Sequence, residues 1–161
     1  MQIEKSVLIE RWRAHLAAKL DVLHQGQTAA RAGTPVDGDH RPENRGERAA
    51  VTSQGYLALG LGQRISDIEE QLVVLEEMGT GSRDRVVVGA LVQIEHEDAS
   101  CHWMAVFPGG DATELEVGVC RVRVLSAQAP IVVALRGLEA GDAAEFVLAG
   151  KAVEVLVLSV T

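Results

Sequence analysis

The chain has 161 residues, 47% of them hydrophobic, and a formal net charge of −8. It is long enough for one domain or two small ones with a real core, and too apolar for a disordered chain. The acidic balance, with a pI near 5.1, excludes gripping nucleic acid through its phosphates, which takes clustered Lys and Arg.

Met1–Lys5 lacks the basic start and apolar run of a signal peptide. The longest apolar runs, such as Val153–Val160, fall short of a membrane span and contain Glu154. The expectation is a soluble, cytoplasmic protein.

Apolar residues first recur at Leu8, Trp12, Leu16, Leu20 and Leu23, in steps of three and four that place them on one helix face. This predicts a helix from about Ser6 to Ala30, in a stretch rich in Ala, Leu, Arg and Lys. Gly33, Pro35 and Gly38 break it, and Pro35 bars its continuation. A second stripe, Leu57, Leu61, Ile65, Ile68, Leu72 and Leu75, predicts a helix from Glu43 to about Met78. That is roughly 36 residues, or about 54 Å at the usual rise. Pro42 suits its opening, where a missing N–H costs nothing. Gly55, Gly60 and Gly62 lie inside it and permit either close helix approach or a bend. Neither stripe is wide enough for burial all round, so each pairs most simply with the other as an antiparallel coiled-coil hairpin. Its tip, about residues 37–47, carries the carboxylates Asp39 and Glu43, with Arg41, Arg45 and Arg48 close by. As bare chemistry, those two acids suit a helix N-terminus.

Gly79-Thr80-Gly81-Ser82 is a linker by composition, dividing a hairpin over 1–80 from a second domain over 81–161. Short β-like runs follow at Arg85–Glu95, His102–Pro108, Val119–Leu125, Ala144–Leu148 and Lys151–Val160, separated by turn signals. Ala129 to Gly137 reads as a short helix ended by glycine. The fold class is α+β: the helical hairpin, then a mostly antiparallel sheet with one helix against it. Cys101 and Cys120 lie in strand-like stretches and are expected as buried, reduced thiols rather than a disulfide or metal pair. His15, His24, His96 and His102 show no metal-ligand spacing, and Trp12 and Trp103 read as packing residues.

Several stretches, in order, resemble one family. Gln128-Ala129-Pro130 through Gly141-Asp142 is similar to the S-P-x-x-x-A-L-x-G-x-x-x-G-D signature of the Gre transcript-cleavage factors, with alanine in place of the serine. Val86–Val92 is similar to the family's V-x-F-G-A-x-V, with valine for phenylalanine. Gly38-Asp39 with Glu43-Asn44 and Ala49-Ala50 resembles its G-D-x-x-E-N-x-x-x-x-A-A, and Ser53–Tyr56 resembles its Q-Q-G-F. The resemblance covers nearly the whole chain.

It implies an FKBP-like second domain that docks on the rim of the bacterial RNA polymerase secondary channel through Gln128, Ala129 and Pro130. It also implies a coiled coil that enters the channel, as a monomer. Asp39 and Glu43 would then help hold a Mg²⁺ shared with the polymerase active site, which itself cleaves backtracked RNA. The chemistry suits that role, because Mg²⁺ takes oxygen ligands and few protein carboxylates. The protein would be an accessory factor, not an enzyme. The family spaces its acids as D-x-x-E, whereas three residues separate Asp39 from Glu43, and the second helix is about one turn longer between Tyr56 and Ile65. The alternatives are a channel-occupying regulator that does not stimulate cleavage and a self-associating coiled-coil protein. A prolyl isomerase would need an aromatic-lined pocket, for which this half offers only Trp103, Phe107 and Phe146.

Overall fold

The computed structural model describes residues 3–32 and 45–161. Two long helices, α1 (Lys5–Ala32) and α2 (Arg45–Glu77), precede six strands and one short helix. The strands are β1 (Leu91–His96), β2 (Cys101–Val106), β3 (Asp111–Val117), β4 (Cys120–Leu125), β5 (Ala143–Leu148) and β6 (Lys151–Val160), with α3 (Pro130–Leu135) between β4 and β5. The chain divides into two compact units, Met1–Arg13 with Gln71–Thr161, and Ala14–Glu70. Residue 80 falls inside the first of them.

In the helical unit, α1 and α2 meet through small residues. Gln27 Nε2 donates to the Ala58 carbonyl at 3.3 Å, and a Cβ on Gly62 would stand 3.1 Å from that same nitrogen. Gly26 faces Leu61. Gly62 thus serves close approach, whereas Gly55 and Gly60 face open space. The apolar stripes are buried at Leu16, Ile65 and Ile68, but Leu57 at the far end of its stripe is exposed.

In the other unit, the sheet order is β3-β4-β2-β1-β6-β5. Only β2 and β4 run parallel. Strand alternation sends Val92, Ile94, Met104, Val106, Leu125, Val155 and Val157 to one face, where Val132 and Leu135 of α3 close a core with Val86 and Phe146. The start of α1 is bound to this unit. Trp12 is fully buried, and its indole donates to the Pro108 carbonyl at 2.9 Å. Lys5 donates to the Gly81 carbonyl at 2.7 Å.

Three expectations are corrected. Arg85–Ala90 is not strand. Val86 instead exchanges backbone hydrogen bonds with the end of α3, accepting from Gly137 and donating to Leu138, each at 2.9 Å. The chain then turns at Gly89, whose φ of +91° suits glycine. Second, β3 joins the sheet at an edge where no strand is expected. Its acids, Glu114 and Glu116, oppose Arg123 and Arg121 of β4. Third, the cysteines are not buried: both are free, Cys101 exposed and Cys120 half-buried. Each opens its strand, beyond the covered centre of the sheet.

Candidate functional site

The strongest candidate is a groove of about 500 Å³ on the α3 side of the sheet. Strand periodicity builds it. His96 and Ile94 of β1, His102 and Met104 of β2, and Arg121 and Arg123 of β4 follow steps of two, so each pair shares a face. All six line the groove, with Phe146 of β5 and Ala129, Pro130 and Ile131 at the start of α3. Its floor is apolar and its mouth polar.

Sequence dictates the α3 wall. Pro130 is the first helical residue, where its fixed φ is preorganised and its missing N–H costs nothing. Ala129 precedes it at φ −58° and ψ 134°, the extended geometry that a residue before proline prefers. Arg136 donates to the Ala127 carbonyl at 2.8 Å, tying the helix end back to the loop. Ala129 and Pro130, expected to dock a partner, both line the groove, while Gln128 is exposed beside them.

The polar mouth is arranged in pairs. Arg123 contacts Glu114 at 2.6 Å, and that hydrogen bond, with the arginine charge second, holds the Glu114 carboxyl below its ordinary value. The His96 and His102 rings meet edge to face with centroids 5.2 Å apart. His102 Nε2 lies 3.2 Å from Ser100 Oγ. Ser100 also donates through its hydroxyl and backbone N–H to Asp98, which depresses the Asp98 carboxyl, the hydroxyl bond contributing most. The groove thus offers an apolar bed rimmed by imidazoles, guanidiniums and the Glu114 carboxylate paired with Arg123, suited to a segment with apolar groups and polar or acidic groups that can compete for that pair.

Of the aromatics weighed for a proline pocket, Trp103 and Phe146 line the groove and Phe107 does not. Sequence reasoning assigns no role here to His96, His102, Arg121 or Arg123. The period-two pairs His102/Met104 and Arg121/Arg123 were the available signal. Asp39 and Glu43, the expected Mg²⁺ ligands, lie outside the described residues. Among the described residues no group of three or more His, Cys, Asp or Glu side chains is placed to hold a metal, and no helix is long and apolar enough to cross a membrane.

No family model matches the chain. A curated relative, the transcription elongation factor GreA of Verminephrobacter eiseniae, is 34% identical over 106 residues, which is 64% of this chain and 61% of the relative. Among solved structures, the GreA factor homolog 1 (Gfh1) of Thermus thermophilus is 16% identical with a TM-score of 0.38, covering 92% of this chain and 94% of that one. The Gfh1 of Thermus aquaticus is 19% identical with a TM-score of 0.40, covering 91% and 92%. TM-scores this low leave the structural likeness without weight of its own. Over 64% of its length the chain is thus similar in sequence to a GreA transcription elongation factor, and it spans about three fifths of that relative's length.

Proposed function

We propose that this chain is a cytoplasmic transcription elongation factor that binds bacterial RNA polymerase in its secondary channel and stimulates cleavage of backtracked RNA. The observation that carries the proposal is the 34% identity to GreA. In this reading the groove beside α3 is the docking surface. Its apolar bed at Ala129, Pro130 and Ile131 would receive a projecting polymerase element, and Arg121, Arg123 and the histidines would select acidic groups on it.

Asp39 and Glu43, in the segment joining α1 to α2, would supply carboxylate oxygens at the polymerase active centre. Two carboxylates are a hard-oxygen donor set that fits Mg²⁺. Bound there, the ion would offset charge developing on phosphodiester oxygens during cleavage by the polymerase. The residues of this chain would contribute negative charge and placement, while the bond-breaking machinery stays with the polymerase.

A second reading rests on one sequence observation. Three residues separate Asp39 from Glu43, and Arg41 stands between them. A factor with that segment would occupy the channel without stimulating cleavage.

The test is cleavage of RNA in a stalled, backtracked complex by bacterial polymerase, with wild type beside Asp39→Ala/Glu43→Ala. Cleavage that needs both acids supports the proposal. Binding without cleavage selects the channel-occupying regulator. Failure to bind polymerase at all overturns both.

A further inference from the structure

We propose that Cys101 and Cys120 form a cross-strand dithiol that closes reversibly to a disulfide by exchange with small-molecule disulfides. β2 and β4 are parallel neighbours, with Trp103 beside Val122 and Met104 beside Arg123. Two residues back along each strand stand Cys101 and Cys120, the first residues of β2 and β4. A step of two keeps the face, so both side chains fall on the Trp103/Val122 side of the sheet. The pairing ends at Trp103 and Val122; carried two residues further at the usual strand spacing of about 4.8 Å, it would bring the cysteines within the roughly 4.4–6.8 Å Cα separation that a disulfide spans.

The other neighbour of Cys101 is also named by the register. Glu95 of β1 is the register partner of Cys101, and Cys101 Sγ lies 3.8 Å from Glu95 Oε2, donating to it. That contact aims the Cys101 thiol toward β1, on the side of β2 away from β4, so closure on Cys120 takes a rotation of the exposed Cys101 side chain to another rotamer. Both cysteines are free, and neither is fully buried, so reagents reach them.

The chemistry balances with one co-reactant, a low-molecular-weight disulfide. One cysteine, as thiolate, attacks a sulfur of the reagent, forming a mixed disulfide and releasing one thiolate. The second cysteine attacks the protein sulfur of that mixed disulfide, expelling the second reagent thiolate. Two electrons pass to the reagent, and the two protons lost by the cysteines end on the released thiols. A closed bridge ties together the strands whose opposite faces present His102 with Met104, and Arg121 with Arg123, to the groove.

The whole chain is equilibrated with glutathione and glutathione disulfide at fixed ratios, acid-quenched, alkylated and analysed as intact mass and peptides. The expected product is monomeric, lacks two hydrogens, carries no glutathione, and yields one linked peptide joining Cys101 to Cys120. Cys101→Ser and Cys120→Ser each trap the remaining thiol as a stable glutathione adduct. Folding should favour ring closure about tenfold or more over the urea-unfolded chain at the same ratio, because the fold supplies the proximity. Retained glutathione on wild type, intermolecular dimers, unreactive thiols, or equal closure in urea would each overturn the proposal.

Discussion

Replacing Trp12 with Phe tests whether the beginning of α1 is an integral part of the sheet-containing unit. Trp12 is fully buried and donates its only side-chain proton to Pro108, 96 residues away, at 2.9 Å. Phenylalanine keeps most of the ring but removes the donor. The Pro108 carbonyl is only part-buried, so losing its partner costs about 1 kcal/mol, the low end of the range for an unsatisfied group. The void left by the missing part of the indole adds about 1 kcal/mol. The expected loss is therefore about 2 kcal/mol. Trp12→Ala, which also surrenders the aromatic packing, should cost roughly 3–5 kcal/mol. Urea unfolding followed by circular dichroism measures both. If Trp12→Phe lowered stability by less than about 0.5 kcal/mol, the bound on a surface substitution, the indole would not be the anchor claimed for it.

Other outcomes follow from the same geometry. A Cβ on Gly110 would overlap the backbone of Leu125 and Ser126, so Gly110→Ala should destabilise by about 2 kcal/mol or more, read from the same denaturation curves. Gly60 faces open space within α2, so Gly60→Ala should raise stability by up to about 1 kcal/mol, whereas Gly62→Ala, crowded by Gln27, should gain less. Because Arg123 depresses the folded-state pKa of Glu114, that ion pair stabilises above the unfolded carboxylate value of about 4.3 and is lost as pH falls through the lower folded value. In a carboxyl NMR titration, Arg123→Gln should move Glu114 upward; an unchanged midpoint would refute the assignment. If the groove docks polymerase as proposed, Pro130→Asp, at an exposed position on its α3 wall, should weaken that binding about tenfold or more, equivalent to about 1.4 kcal/mol. Deleting one residue between Asp39 and Glu43 should raise RNA cleavage if their spacing limits it.

The helices were legible because a 3.6-residue period over some thirty residues leaves few other interpretations. β3 was missed because Glu114 and Glu116 disfavour a strand by propensity. They are tolerated there because β3 is an edge and Arg121 and Arg123 oppose them. Arg85–Ala90 is apolar enough for a strand, yet its hydrogen bonds are divided between Gly137 and Leu138 just after α3, which bond Val86, and Val106 of β2, which bonds Gly89 and Ala90, a tertiary choice no local pattern reveals. The cysteines were misplaced because strand membership does not specify position along the strand. Ala129 and Pro130 were legible as part of a motif, but the groove they border is assembled from five strands and one helix. No single stretch of sequence encodes it. The acids Asp39 and Glu43 rest on the resemblance alone.

The position of β6 has a consequence for the order of events during synthesis. It lies between β1 and β5, so Val92 waits for Val160, and Leu91 waits for Thr161, with which it exchanges two backbone hydrogen bonds of 2.8 and 2.9 Å. A ribosome producing this chain at about 5–20 residues per second has made the helices several seconds before the strand that completes the sheet. The contacts within residues 14–70 involve helices already released, whereas β1 emerges with one edge bare. During that interval its unpaired backbone and apolar side chains form a sticky edge. The nascent chain is therefore most exposed to chaperone capture, or to aggregation, between the appearance of residue 91 and that of residue 160.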